Sequence, residues 1–218
     1  MPNAEFAYRL EPIVDLHTEK PVAHELLAGE AQCPEWGEVL WRRWHTFLIS
    51  EIPRLLDSME GLLFINLDGQ QILDEHIHDT VQAISCFSPR IVLEWTEQRF
   101  MDAHFNRIVA RLETYREMGF RVAIDDIGSI GGIDGLGRAG AIHADFCKID
   151  GKYFQEVRSK GPEYLQGLCQ HLARNGAMVI VEWVETKTDH RLALASGSHL
   201  GQGRLWKHAR QSSCGGSL

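Results

Sequence analysis

The chain has 218 residues, of which 44% are hydrophobic, which is enough for one substantial buried core but short for two independent domains. Its 22 lysines and arginines are outnumbered by 30 aspartates and glutamates, giving a net charge of -8. That balance argues against non-specific binding of duplex nucleic acid, which requires a basic surface. An anionic ligand would therefore need a metal ion or a few local cations.

The sequence has no sign of a membrane anchor or of a disulfide framework. No apolar run approaches the roughly 18 to 20 residues that span a bilayer, and the first residues do not resemble a signal peptide. We therefore expect a cytoplasmic protein with no membrane insertion. The cysteines are scattered singly along the chain, so we expect reduced thiols; they are Cys33, Cys86, Cys147, Cys169 and Cys214.

Short aliphatic runs alternate with helical segments along the chain, as is typical of parallel strands joined by crossover helices. Eight strands are predicted, at residues 9–15, 22–27, 62–67, 91–95, 121–125, 146–149, 179–184 and 203–206. The turn between the first two is too short for a crossover, so these two should pair antiparallel. The prediction is a (β/α)8 TIM-like barrel with an antiparallel first strand, formed by residues 1–210 and followed by a disordered tail at 211–218.

Two segments have the apolar spacing of helices that cover a barrel. In the first, Phe105, Ile108, Leu112 and Tyr115 recur at helical spacing, and Gly119 follows at the position of a left-handed C-terminal cap. In the second, residues 165–172 repeat the pattern before Gly176. Both stripes are interpreted as core-facing surfaces, because a covering helix must bury one apolar face.

Acidic and amide side chains stand at or near the ends of most predicted strands, and one lysine stands among them. In strand order they are Glu25, Asn66, Glu94, Asp125 with Asp126, Lys148 and Glu182. A single acid at a strand end is more often a capping or solvated group. In a β/α barrel, however, these positions converge on one rim, where the active sites of this architecture lie.

Carboxylates gathered in a cleft repel one another unless cations compensate, and hard oxygen ligands favour Mg²⁺ or Mn²⁺. The adjacent Asp125 and Asp126 can serve two ions at once. Two such ions can hold a phosphodiester and lower the pKa of an attacking water. Lys148 can orient that water, or accept its proton if the site lowers the pKa of the lysine.

With these residues in this order, the sequence resembles the EAL-domain phosphodiesterases, which linearise the bacterial second messenger cyclic di-GMP. The naming motif appears as Glu25-Leu26-Leu27. The remaining blocks follow in family order: Glu11-Pro12-Ile13-Val14-Asp15 before it, then Asn66-Leu67, Glu94-Trp95-Thr96-Glu97, Asp125-Asp126-Ile127-Gly128, Lys148-Ile149-Asp150, Val181-Glu182-Trp183-Val184-Glu185-Thr186 and Leu200-Gly201-Gln202-Gly203. The ordered set is far more specific than any one block.

The resemblance implies roles for individual residues. The metal ligands would be Glu25, Asn66, Glu94, Asp125 and Asp126. The catalytic group would comprise Lys148 at the nucleophilic water, Glu182 and Gln202 holding waters of the metal site, and Glu97 tethering the loop after the double aspartate. The substrate-binding residues would be Pro12, Leu27, Glu185 and Arg204. The resemblance also implies cyclic di-GMP as substrate and a homodimer.

Several positions depart from the family pattern. Gly29 stands where the family usually has an arginine that grips a substrate phosphate, and Arg204 replaces an aromatic residue. The loop after Asp126, which in the family couples dimerisation to metal binding, has an altered sequence. Trp183 replaces a usual glycine; strand alternation predicts that it points outward and packs against the helices, as Trp95 does beside Glu94.

Three functions are compatible with these residues. The prediction is metal-dependent hydrolysis of cyclic di-GMP to linear pGpG. The main alternative is a catalytically weak or inactive EAL domain that acts as a cyclic di-GMP receptor or a protein-interaction module, motivated by Gly29 and the altered loop. A more distant alternative is a barrel that uses its acids, metal and lysine for proton abstraction, because barrel folds support many chemistries.

Overall fold

Eight strands close into a barrel in the computed structural model of the chain, which describes residues 6–29, 37–96, 102–129 and 135–207. Each strand pairs with the next in chain order, and the last pairs with the first. The strands are β1 (Tyr8–Asp15), β2 (Pro21–Ala28), β3 (Leu62–Leu67), β4 (Ile91–Trp95), β5 (Arg121–Ile127), β6 (Phe146–Ile149), β7 (Met178–Val181) and β8 (Leu200–Gln202). The predicted barrel is therefore confirmed.

The first strand runs against both of its neighbours. Tyr8 pairs with Ala28 and Ile13 with Ala23 in an antiparallel β1–β2 ladder, and β1 is also antiparallel to β8. All ladders from β2 round to β8 are parallel. The predicted antiparallel start is confirmed, because the turn after Asp15 is too short to carry the chain back for a parallel strand.

Helices cover the barrel between successive strands. They are α1 (Glu38–Ser58), α2 (Gly69–Leu73), α3 (Glu75–Ala83), α4 (Phe105–Glu117), α5 (Gly135–Ile142), α6 (Gly151–Val157), α7 (Glu163–Arg174) and α8 (Lys187–Ala195). Both predicted helical stripes are confirmed: α4 buries Ile108, Leu112 and Tyr115, and α7 buries Leu165 and Leu172. No helix in the described ranges is both long enough and apolar enough to cross a bilayer.

The core has two parts. A large outer core lies between the strands and the helices, and it includes Trp95, which is 0% exposed as predicted. The inner layer fills the barrel itself and consists of Ile13, Ala23, Phe64, Val92, Ala123, Phe146, Ile180 and Leu200. At its centre the rings of Phe64 and Phe146 meet edge to face with centroids 5.1 Å apart.

The prediction for the last strand is wrong. The strand is Leu200–Gln202, and Arg204–Trp206, which was assigned to it, forms a turn of 3₁₀ helix. Gly203 causes the break: its φ is 155°, and a Cβ at this position would lie 2.4 Å from the carbonyl oxygen of Val184. The seventh strand is also shorter than predicted, ending at Val181. The predicted tail at 211–218 lies outside the described residues.

Candidate metal and phosphodiester site

A buried lysine lies at the centre of the rim formed by the carboxyl ends of the parallel strands. The side chain of Lys148, on β6, is 1% exposed, and its Nζ lies 2.7 Å from Glu94 and 2.8 Å from Glu182. Glu25 and Asp125 are 3.2 and 3.4 Å from the same nitrogen. Four carboxylates therefore share one ammonium group, and each belongs to or directly follows a different strand.

Two amide side chains complete the arrangement. Asn66 and Gln202 both donate to the carboxylate of Glu25, at 2.8 and 2.6 Å. We call the eight side chains Glu25, Asn66, Glu94, Asp125, Asp126, Lys148, Glu182 and Gln202 the rim cluster. The structure thus brings together every residue that was predicted to bind metal and three of the four predicted to be catalytic.

Burial and mutual charge shift the pKa values in opposite directions within the cluster. Burial alone would lower the pKa of Lys148, but the carboxylates, Asp125 and Glu182 foremost, raise it well above its usual value. Burial also raises the pKa of Glu94 well above normal and that of Glu182 to about 8. Burial would raise the pKa of Glu25 as well, but the Lys148 charge and the two amide donors lower it. Without a further cation, Lys148 is therefore an ammonium group that can donate hydrogen bonds but cannot accept a proton.

The double aspartate lies at an irregularity of β5. Ile124 pairs with Cys147 but Ile127 pairs with Ile149, so β5 has one extra residue in this interval. Within it Asp126 has φ 57°, a left-handed conformation that Asp adopts more readily than most residues. Adjacent residues of a regular strand point to opposite faces, and the bulge removes that constraint. As a result carboxylate oxygens of Asp125, Asp126 and Glu182 all lie within 4.8 Å of one another.

The chemistry of these side chains fits a divalent cation. Among the described residues, four buried oxygens of the cluster have no hydrogen-bond partner, namely Asn66 Oδ1, Glu94 Oε2, Asp125 Oδ1 and Gln202 Oε1, and of these Asp125 Oδ1 lies 3.4 Å from Lys148 Nζ. Buried polar atoms are normally paired, so unpaired acceptors beside clustered carboxylates indicate space for an electropositive ligand. The atoms of these carboxylate and amide groups that can ligate a metal are oxygens, the ligand type that Mg²⁺, Mn²⁺ and Ca²⁺ prefer.

A cavity of about 200 Å³ opens directly from the cluster. It is lined by Glu25, Glu182 and Gln202 together with Glu11, Leu27, Trp183 and Gly203. Leu27 was predicted to bind substrate and does line this cavity, whereas Pro12, Glu185 and Arg204 are outside its lining. Arg204 instead pairs with Glu185 at 3.1 Å on the surface. Glu11, which was not among the residues predicted to bind substrate, also lines the cavity and lies opposite Glu25 in the β1–β2 ladder.

The packing interpretation of Trp183 is wrong. Trp183 is 47% exposed and has φ 52°, so it follows neither the orientation nor the backbone of a strand residue. The alternation argument fails because β7 ends at Val181, two residues before Trp183. The indole lines the cavity and meets the helical layer at Gly151, the first residue of α6, whereas Trp95 is fully buried.

A buried arginine that sequence reasoning missed holds two of the strand ends. Arg138, on α5, is 1% exposed and donates to the carbonyl oxygens of Trp95 at 2.9 Å and Asp125 at 2.7 Å. Its guanidinium also lies over the Trp95 ring, 5.4 Å from the centroid. One side chain thus fixes the backbone next to Glu94 and at Asp125. Glu97, the remaining predicted catalytic residue, lies outside the described residues.

Comparison with known proteins gives relatives of one kind. The model of the EAL domain family matches residues 1–209. The cyclic di-GMP phosphodiesterase PdeF of Escherichia coli (strain K12) is 30% identical over 119 residues, which are 53% of this chain and 15% of PdeF. The chain therefore spans only a small part of that relative's length.

Solved structures of EAL proteins share the fold at low sequence identity. YkuI of Bacillus subtilis, in complex with cyclic di-GMP and calcium, superposes with a TM-score of 0.76 at 21% identity, over 91% of this chain and 54% of YkuI. Klebsiella pneumoniae BlrP1, also with calcium and cyclic di-GMP, gives 0.75 at 21% identity over 94% of this chain and 56% of BlrP1. A standalone EAL protein from Vibrio cholerae O395, bound to cyclic di-GMP, gives 0.74 at 21% identity over 94% of this chain and 92% of its own.

The rim cluster, the barrel with its reversed first strand and the match over residues 1–209 agree with one another. The chain belongs to the EAL domain family.

Proposed function

We propose that the chain hydrolyses cyclic di-GMP to linear pGpG with the help of two divalent cations, Mg²⁺ or Mn²⁺. The observation that carries the proposal is the rim cluster itself: carboxylate and amide oxygens, several of them unpaired, surround one buried lysine beside an open cavity. The relatives named for cyclic di-GMP hydrolysis or solved with cyclic di-GMP support the choice of substrate.

In this proposal Glu25, Asn66, Glu94, Asp125 and Asp126 hold the cations. When bound, the cations supply positive charge to the phosphodiester and lower the pKa of an attacking water. The water oxygen forms a bond to phosphorus as the bond from phosphorus to the 3′ oxygen breaks; the water gives up a proton to the solvent and the 3′ oxygen takes one from it, which leaves a 5′ phosphate and a 3′ hydroxyl in the linear product. Glu182 and Gln202 orient the water, and Lys148 donates hydrogen bonds to it and to the developing negative charge.

The decisive experiment is incubation of the pure protein with cyclic di-GMP and Mg²⁺ or Mn²⁺, with chromatographic separation of the products. We expect pGpG to form and EDTA to stop its formation. Glu25→Ala and Asp125→Ala should lose turnover because each removes a ligand and leaves its neighbours mutually repulsive. Glu60→Ala, an exposed acid outside the cluster, is the matched control and should retain full activity. Undiminished hydrolysis in EDTA would contradict the metal mechanism.

A second candidate is a cyclic di-GMP receptor with little turnover, and one observation favours it. Gly29, where the resemblance expects an arginine, pairs with Ala7 so closely that a Cβ would lie 3.1 Å from the Ala7 Cβ. Arg204 pairs with the carboxylate of Glu185 and is outside the cavity lining. Calorimetry with cyclic di-GMP alongside the turnover assay separates the two functions: a receptor binds cyclic di-GMP measurably and forms no pGpG.

The proposed homodimer has only the family resemblance to support it. Sedimentation equilibrium with and without cyclic di-GMP tests it, and a single species at 24.7 kDa under both conditions would contradict it.

A further inference from the structure

An exposed indole lies at the mouth of the cavity, one residue after a member of the rim cluster. Trp183 follows Glu182 directly and lines the cavity together with Leu27 and Gln202. It is the only aromatic side chain in that lining among the residues that the structure describes. Its side chain is 47% exposed, so a ligand in this cavity can contact the ring without displacing protein atoms.

The protein holds this indole in place at a conformational cost. Trp183 has φ 52°, a left-handed conformation that bulky residues rarely adopt and that clusters at functional sites. The side chain of Gln155 donates to the carbonyl oxygen of Trp183 at 2.9 Å and so fixes this turn. The conformation is therefore imposed by the surrounding fold.

A glycine backs the ring. A Cβ built on Gly151, the first residue of α6, would lie 2.2, 2.4 and 2.5 Å from Cγ, Cδ1 and Cδ2 of Trp183. Three nearly equal distances to atoms of the five-membered ring place Gly151 close against the indole, where only a residue without a side chain fits. The ring is thus supported on one side by backbone and remains open toward the cavity.

The position of the cavity identifies the kind of ligand. Its lining includes Glu25, Glu182 and Gln202, so a phosphodiester at the rim cluster has its attached nucleoside within reach of the indole. A flat, supported aromatic ring is the group on which nucleobases stack, and purines present the larger face. We propose that Trp183 is a stacking platform for a purine base of the bound cyclic dinucleotide. This inference rests on the function proposed above and adds a specificity-determining residue to it.

The test is the KM for cyclic di-GMP in three variants at Trp183. Loss of a base–aromatic stack costs about 1–3 kcal/mol, so Trp183→Ala should raise KM by about 5- to 150-fold. The kcat should change by less than about threefold, because the stack is present in the ground and transition states alike. Trp183→Phe should retain most of the affinity. Trp183→Gly should raise KM as Trp183→Ala does while relieving the left-handed backbone, which separates lost stacking from lost folding.

The matched control is Tyr164→Ala, which removes an aromatic ring that is 53% exposed on α7, away from the cavity, and should leave KM unchanged. The proposal also expects wild-type protein in Ca²⁺ to bind pGpG at least tenfold more tightly than base-free ribose 5-phosphate, a preference reduced in Trp183→Ala. If the chain is a receptor, the same comparisons are made on Kd.

Three results overturn the proposal. If KM or Kd stays within twofold in both Trp183→Ala and Trp183→Gly, the indole does not contact the base. If affinity rises in these variants, Trp183 blocks the cavity instead. In both cases wild-type protein still binds or hydrolyses cyclic di-GMP, so the proposed function survives. If wild-type protein does neither, the proposed function and the stacking platform fail together.

Discussion

The inside of the barrel consists of two regions with opposite character, separated by two residues along each strand. The inner layer is apolar and the rim cluster is polar. Along the seven parallel strands, β2 to β8, the inner-layer residue is followed two positions later by a residue of the rim cluster. The pairs are Ala23 and Glu25, Phe64 and Asn66, Val92 and Glu94, Ala123 and Asp125, Phe146 and Lys148, Ile180 and Glu182, and Leu200 and Gln202. Because β1 is reversed, its polar partner precedes the apolar residue, as Glu11 precedes Ile13.

The comparison separates the source of stability from the source of chemistry. Residues two apart on a strand face the same side, so both regions point into the barrel and differ only in height. The inner layer excludes water and supports the rim from below. That support lets the rim hold like charges close together, an arrangement that lowers the stability of the metal-free protein but creates a cation site.

The largest effect on kcat should follow from replacing the charged side chain at the centre of the rim with an apolar one, as in the inner layer. Lys148→Met and Lys148→Ala should lower kcat by about 10²–10⁴-fold, because the buried donor at the centre of the cluster is lost, while cyclic di-GMP still binds. Steady-state kinetics and calorimetry measure the two quantities separately. Lys152→Ala, an exposed lysine on α6, is the control and should change neither. An intact kcat with weakened binding would mean that Lys148 is only a phosphate contact.

A substitution in the inner layer should instead lower the stability of the fold and leave kcat nearly unchanged. Phe64→Ala removes a fully buried ring from its contact with Phe146 and should lower the free energy of unfolding by about 3–5 kcal/mol. Urea denaturation measures this loss. Phe64→Leu, which keeps most of the volume, should lose considerably less. The kcat per folded molecule should stay within about threefold; a large fall would show that the two regions are not separable.

The smallest effect tests how the rim is held from outside. Arg138→Met removes the donor to the carbonyl oxygens of Trp95 and Asp125 and should weaken Mg²⁺ affinity or activity by about 10- to 100-fold. Metal affinity can be followed from the rise in melting temperature with Mg²⁺ concentration. Arg54→Met, at an exposed arginine of α1, should leave that rise unchanged. If the melting temperature rises equally with Mg²⁺ in both variants, Arg138 does not position the metal ligands.

Regular strands and their rim residues could be predicted from the sequence. β3, β4 and β6 begin and end where the aliphatic runs do, and the polar residue at each of these strands is visible in the sequence. The last strand could not be predicted because three residues are too few for a periodicity, and the apolar Leu205 and Trp206 beyond it imitate one. The backbone at Gly203 and the carbonyl of Val184, which end the strand, meet only in the folded chain.

The two missed residues share a physical reason. Arg138 is held by backbone carbonyl groups, and carbonyl acceptors leave no pattern in the sequence. Trp183 was assigned by alternation, which holds only while the strand continues, and its left-handed φ depends on contacts with Gln155 and Gly151. Strand patterns therefore predicted which residues gather at the rim, whereas their supports depend on tertiary contacts.

The reversal of β1 decides where the ends of the fold emerge. Tyr8, the first residue of β1, pairs with Ala28 at the rim end of β2, and β8 ends at Gln202 within the rim cluster. The backbone therefore enters and leaves the barrel on the same face, whereas an all-parallel barrel is entered from the opposite one. The first residue of β1, Tyr8, and the last residue of β8, Gln202, therefore both lie on the face that carries the cavity.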